Sequence, residues 1–144
     1  MKLSIKAEYG LRAILEVAKN QNGNPLRLKD IAQRQNISAK YLEQLMTILK
    51  TAGFVRTSRG AKGGYTLAKP ANTIKISEIF NTLEGPITTA ECIENKNFCA
   101  NATDCVIRQI WQQVNQAMAD VLQSITLQDL VDKSEIKKGL SYQI

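Results

Sequence analysis

Apolar residues recur along this chain at two periods. Leu11, Ile14, Leu15 and Ala18 stand at i, i+3, i+4 and i+7, one face of a helix predicted from Ile5 to Asn20. Gln21-Asn22-Gly23-Asn24-Pro25 is turn chemistry and ends it. Leu28, Ile31 and Ala32 mark a short second helix from Leu28 to Gln35, and Asn36-Ile37 a tight turn. Ser38 reads as an N-cap whose hydroxyl accepts a first-turn amide. The third helix it opens has the stripe Leu42, Leu45, Met46 and Leu49, with Gly53 as its stop. Two β-rich runs follow, Phe54 to Ser58 and Tyr65 to Ala68. Between them Arg59-Gly60-Ala61-Lys62-Gly63-Gly64 forms a flexible, cationic hairpin tip. This order predicts a mainly α fold: a winged helix-turn-helix with a small β-hairpin wing and a long C-terminal dimerisation helix.

Pro70-Ala71-Asn72 marks a joint, after which Ile76, Ile79, Phe80 and Leu83 form an amphipathic helix closed by Gly85-Pro86. The segment from Ile87 to Asp104 has no helical period and is expected to be a loop. A last long helix should begin near Thr103 or Asp104, both good caps. Its residues Ile107, Trp111, Val114, Met118, Val121 and Ile125 follow the spacing of a heptad seam, widened by Ile110, Ala117 and Leu122. A helix of about 20 residues spans about 30 Å. That is too long for one small domain to cover, so it is expected to pair with a second copy. Packing across its own domain is the alternative. Thr126-Leu127-Gln128-Asp129 resembles a capping box for a short final helix. The expected organisation is a DNA-binding domain at 1–70, a connecting helix at 71–86, a cysteine-bearing sensor loop at 87–104, and dimerisation and C-terminal helices at 105–144.

Charge divides the chain in two. Residues 1–69 carry 13 Lys+Arg against 4 Asp+Glu, and residues 70–144 carry 6 against 9. Only the first half is suited to a polyanion; a solvated surface is the bland reading of the same charges. No apolar run approaches a membrane span and the start has no apolar core of a secretory signal, so a cytoplasmic protein is expected. The chain has no histidine, which excludes His-based catalysis and His metal ligands. No nucleophile elbow, P-loop or dinucleotide glycine motif is present, and an enzyme is not expected.

The third helix presents Lys40, Glu43, Gln44 and Thr47 opposite its apolar stripe, with Ser38 at its N-terminal end. Lys40 can donate to guanine O6/N7 or to phosphate, Glu43 can accept from cytosine N4, and Gln44 can pair with adenine. Each specific contact of this kind is worth about 1–3 kcal/mol of discrimination. Arg59 and Lys62 sit among glycines that let backbone approach phosphates, and Arg59 can reach a minor groove. Tight-turn glycines and solvated cations are the plainer reading of each alone. A dimer would read a near-palindromic duplex with half-sites about one helical turn or more apart.

Cys92, Cys99 and Cys105 lie in one short stretch whose spacing is not that of a zinc knuckle. Three thiolates on one loop suit an iron–sulfur cluster and leave one ligand position to another group. Glu8 and Asp104 are carboxylate candidates for it, whereas Arg108 cannot ligate. Three unligated thiols remain the alternative.

The opening Leu3-Ser4-Ile5-Lys6-Ala7-Glu8-Tyr9-Gly10-Leu11-Arg12-Ala13, the run Lys40-Tyr41-Leu42-Glu43-Gln44 and the wing Arg59-Gly60-x-x-Gly63-Gly64-Tyr65 are closely similar to a known family. Leu83-Glu84-Gly85-Pro86-Ile87 and the run from Ser124 to Leu130 extend the likeness over nearly the whole chain. The chain resembles the winged-helix iron–sulfur regulators that include IscR, NsrR and CymR. The resemblance implies a homodimeric transcription regulator with a cluster near its dimer interface, held by Cys92, Cys99 and Cys105. It also adds Tyr41 to the DNA-binding set of Ser38, Lys40, Glu43, Gln44, Arg59 and Lys62. CymR-like members lack the cysteines. In IscR a histidine three residues after the last cysteine completes the ligand set, and here that position is Arg108. In NsrR-like members an acidic residue of the first helix does so from the other subunit, and the matching residue is the partner subunit's Glu8. Cluster type, 2Fe–2S or 4Fe–4S, stays open. A cluster-free thiol–disulfide sensor is the nearer rival reading, and a small basic electron carrier the distant one.

Overall fold

The Ser4 hydroxyl accepts the Ala7 amide at 3.1 Å and so caps the first helix, α1 (Ile5–Lys19). A computed structural model describes residues 3–20, 23–95, 97–100 and 104–142. The Gln21 and Asn22 portion of the predicted turn lies outside them. Helix α2 (Leu28–Gln35) ends where Asn36 takes the left-handed conformation, with φ 53°, a backbone that asparagine tolerates. Helix α3 (Ala39–Thr51) begins at Ser38, whose hydroxyl accepts the Tyr41 amide at 3.2 Å, as its sequence predicts. It stops at Gly53, where φ is +86°. Strands β1 (Val55–Ser58) and β2 (Gly64–Leu67) pair antiparallel with Val55 opposite Leu67 and Ser58 opposite Gly64. Helix α4 (Ile76–Glu84) follows a 3-10 turn at Ala71–Thr73.

One core joins these elements. Ile14 and Val17 of α1, Ile31 of α2, Leu45 and Leu49 of α3, Ile79 and Leu83 of α4, and Leu127 and Val131 near the C-terminus all belong to it. Burying a side chain such as fully buried Leu45 stabilises the fold by about 1.5–3 kcal/mol. α1 and α4 approach closely at Gly10, where an added Cβ would stand 2.4 Å from Cδ1 of Leu83. The core is sealed by a two-residue bridge. The Ile76 amide donates to the Ile125 carbonyl at 2.9 Å and the Leu127 amide to the Ile74 carbonyl at 2.8 Å.

Four sequence expectations are corrected. The cysteine segment contains one helical turn, α5 (Glu91–Glu94), rather than loop throughout. Four residues are too few to display a period, and Glu91 and Glu94 favour a helix N-terminus. The long helix α6 (Val106–Ser124) starts after Cys105, which has extended backbone and makes no side-chain cap bond; Asp104 lies in the preceding turn. Thr103 lies outside the described residues. Ile125 leaves the heptad seam, because its extended backbone forms the bridge to Ile76. The final helix α7 (Leu127–Tyr142) runs for 16 residues rather than one short stretch. Thr126 and Asp129 do form its reciprocal cap, with bonds of 2.9 and 3.1 Å.

α6 buries none of its residues, and Ile107, Ile110 and Val121 are each more than half exposed. Its inner side covers α4 and forms an apolar cleft of about 410 Å³ with Leu3, Leu11, Phe80 and Ile87. Among the described residues no helix is long and apolar enough to cross a membrane.

Candidate nucleic-acid interface and cysteine segment

The stripe of α3 sends Leu42, Leu45, Met46 and Leu49 into the core and leaves Lys40, Glu43, Gln44 and Thr47 exposed. Ser38 stands exposed at the same end, engaged as the cap. Tyr41 differs from its neighbours. It is half-buried, and its ring meets that of Tyr9 edge-on with centroids 6.2 Å apart. That packing fixes the N-terminal end of α3 against α1.

The wing stands beside this helix. Arg59 and Lys62 are both exposed at its tip. Burial, and after it the Glu43 carboxylate, hold the Tyr65 phenol above its ordinary value, so the second strand of the wing lies within electrostatic reach of the outward face of α3. The wing glycines meet a steric demand. A Cβ at Gly63 would stand 2.3 Å from the Ser58 carbonyl oxygen, and one at Gly64 2.5 Å from that of Leu26. Both contacts are with backbone, which cannot yield as a flexible side chain can. Helix face and wing together present cations and hydrogen-bonding groups of the kinds that meet phosphates and base edges.

Cys92 lies in α5 and Cys105 just before α6; both are half-buried, while Cys99 is exposed between them. All three are free thiols. The Arg108 Nε–H donates to the Cys92 carbonyl at 3.2 Å and so ties α5 to α6. Among the described residues no three Cys, Asp or Glu side chains are gathered closely enough to hold a metal ion. The donor set fits an iron–sulfur cluster in chemistry, since Cys thiolates are its usual ligands and three of the usual four are present, but the three are not gathered here. Glu8 stands on α1, its carboxylate bound to the Arg12 guanidinium at 2.7 Å, and Arg12 lies 5.7 Å from the Tyr9 ring centre.

Two polar contacts escape any reading of local pattern. Glu16 is buried, its carboxylate accepting from Gln35 Nε2 at 2.7 Å and facing Lys19 and Arg34 at 3.4 and 3.5 Å. Glu84 accepts the Ser4 amide at 2.8 Å and so closes the start of α1. Their partners lie 19 and 80 residues away.

Residues 3–133 match the family described as Rrf2, iron-dependent transcriptional regulator. The rrf2 protein of Nitratidesulfovibrio vulgaris is 40% identical over 131 residues, covering 91% of this chain and 87% of that protein. The structure of CymR, the global cysteine regulator of Bacillus subtilis, superposes with a TM-score of 0.79 at 40% identity, covering 92% of this chain and 98% of that one. The IscR structure from T. potens gives 0.77 at 36% identity over 93% of this chain and 88% of its own.

Proposed function

Because this chain belongs to the Rrf2 family of DNA-binding transcription regulators, we propose that it works as a homodimer whose grip on operator DNA follows an iron–sulfur cluster held by Cys92, Cys99 and Cys105. The observation that carries this reading is the separation of two surfaces: a cationic face on α3 and the wing, and a three-thiol segment joined to the uncovered helix α6.

DNA contact falls to Lys40, Glu43 and Gln44 on the outward face of α3, with Ser38 and Tyr41 at its N-terminal end and Arg59 and Lys62 in the wing. A near-palindromic duplex suits two such heads. Dimerisation is supported by α6, whose exposed Ile107, Ile110, Trp111 and Val121 would otherwise face water.

When bound, a cluster supplies a redox-sensitive inorganic centre that three thiolates and one further ligand hold. Arg108 cannot be that ligand, and the partner subunit's Glu8 can. For the loop to close, the three thiols must come together while α5 keeps its tie to Arg108. DNA affinity responds only if the closed and open loops differ in their packing against α6, since a ligand shifts an equilibrium by its differential affinity for two states.

Iron and sulfide content of anaerobically prepared protein tests the assignment. We expect both elements and a visible absorbance that the Cys92→Ala, Cys99→Ala and Cys105→Ala triple variant lacks; absorbance retained by that variant refutes the ligand set. The exposed Cys99 thiol supports a second reading, a cluster-free sensor in which two thiols form a reversible disulfide. That reading requires protein without iron or sulfide.

A further inference from the structure

We propose that Arg27 is the positioning residue of the wing: its guanidinium holds the 59–64 tip against the start of α2, so that Arg59 and Lys62 are presented to DNA as one rigid unit with the helix-turn-helix. The proposal rests on the DNA-binding reading and adds to it a residue outside both the third helix and the wing.

A two-stranded hairpin with strands of four residues is marginal by itself. Its tip-side half is clamped here, at the Thr57–Tyr65 pair. The Leu26 amide donates to the Tyr65 carbonyl at 2.9 Å and the Tyr65 amide to the Leu26 carbonyl at 2.8 Å, so Leu26 adds a short third rung to the sheet. The tip extends past that clamp, closed on itself by the Gly63 amide donating to the Gly60 carbonyl at 3.0 Å. Arg27, next in sequence to the clamp, reaches 34 residues along the chain and donates from Nη2 to the Ala61 carbonyl. Ala61 stands between Arg59 and Lys62, so this bond fixes the backbone that carries both cations.

Arginine suits the task. Its planar fork presents five donors in fixed geometry and stays charged, so one nitrogen can bind a carbonyl without loss of the cation. Leu28, the first residue of α2, follows directly. The first helix of a helix-turn-helix crosses the DNA backbone, so Arg27 joins two elements that would face the duplex. A tip ordered before DNA arrives leaves less ordering to be done on binding.

The test compares wild type with Arg27→Ala, Arg27→Lys, Arg59→Ala and the Arg27→Ala, Arg59→Ala double variant, all as full chains. Three quantities are read: amide hydrogen exchange at Gly63 in free protein, melting temperature, and affinity over a salt series for a duplex that wild type selects from a randomised library. In Arg27→Ala we expect exchange at the tip to rise about tenfold with little change in melting temperature. Affinity should fall about five- to twentyfold, and adding Arg59→Ala should cost much less than it does in wild type, because a loose tip no longer presents Arg59. Arg27→Lys keeps the charge without the fork and should restore only part of the protection. Unchanged tip exchange, or additive losses with a salt slope lowered by about one, would make Arg27 a plain phosphate contact and overturn the proposal. If wild type selects no duplex, the DNA-binding reading falls separately, and tip exchange in free protein still decides whether Arg27 orders the wing.

Discussion

Arg108, in the first turn of α6, donates its Nε–H to the backbone carbonyl of Cys92 across 3.2 Å. A guanidinium, always protonated, cannot act as a metal ligand, and here it serves as a strut between α5, which carries Cys92, and α6, which Cys105 directly precedes. Removing it should leave the thiols in place and loosen their support. In Arg108→Gln we expect full iron and sulfide loading and a cluster that decays about fivefold faster in air, the equivalent of one hydrogen bond of about 1 kcal/mol. The decay of visible absorbance after anaerobic reconstitution measures this. An unchanged lifetime would show that the strut does not support the ligand loop.

The buried carboxylate of Glu16 latches α1 to α2 through Gln35, with Lys19 and Arg34 alongside. Glu16→Ala should lower unfolding free energy by about 1–3 kcal/mol, read by urea denaturation of the unligated protein. Glu16→Gln keeps an acceptor for Gln35 and should lose less. A cost near that of an ordinary surface change, about 0.5 kcal/mol or below, would contradict the latch.

Glu84 gives a pH signature. The Ser4 hydroxyl and then the Ser4 amide hold its carboxyl below the ordinary glutamate value. A carboxyl lowered in the folded state binds its proton more weakly there than in the unfolded chain. Its contribution is therefore fully present at neutral pH and is lost as pH falls through the carboxylate range. The melting-temperature difference between wild type and Glu84→Gln should be widest at neutral pH and close on acidification. A difference that widened toward acid would reverse the sign and refute the assignment.

What the sequence reveals here depends on how far each signal reaches. Ser38, Gly53 and the Thr126–Asp129 pair are legible because cap and partner lie within a few residues of one another. The outward face of α3 is legible for the same reason, since one helical period sorts Leu42, Leu45, Met46 and Leu49 from Lys40, Glu43 and Gln44. Ile125 misleads, because the heptad spacing continues past the helix end and only the distant Ile76 amide shows where the backbone turns extended. α7 outlasts its pattern: beyond Val131 it leaves the core, and Ile136 and Leu140 stand exposed. Arg27 and Glu16 act on partners remote in sequence, so no local rule marks either. The cysteines declare their chemistry by type, but their spacing alone does not state how they are brought together.

The proposed DNA contacts predict an electrolyte dependence. Arg59→Ala should weaken operator binding strongly and reduce the salt slope by about one. Glu43→Ala, which removes a negative charge, should relax base preference more than it weakens binding. Fluorescence anisotropy on matched and mismatched duplexes over a salt series checks both. Binding indifferent to salt would contradict the assignment of the basic half to a polyanion.

The central claim is tested most directly by one titration. A single anaerobic preparation is divided, one part reconstituted with iron and sulfide and the other left without, and each is titrated onto the same selected duplex at one salt concentration. The account predicts affinities that differ about 5- to 150-fold, the range of an ordinary coupling free energy. Equal affinity in the two parts, with iron and sulfide confirmed in the first, would contradict it.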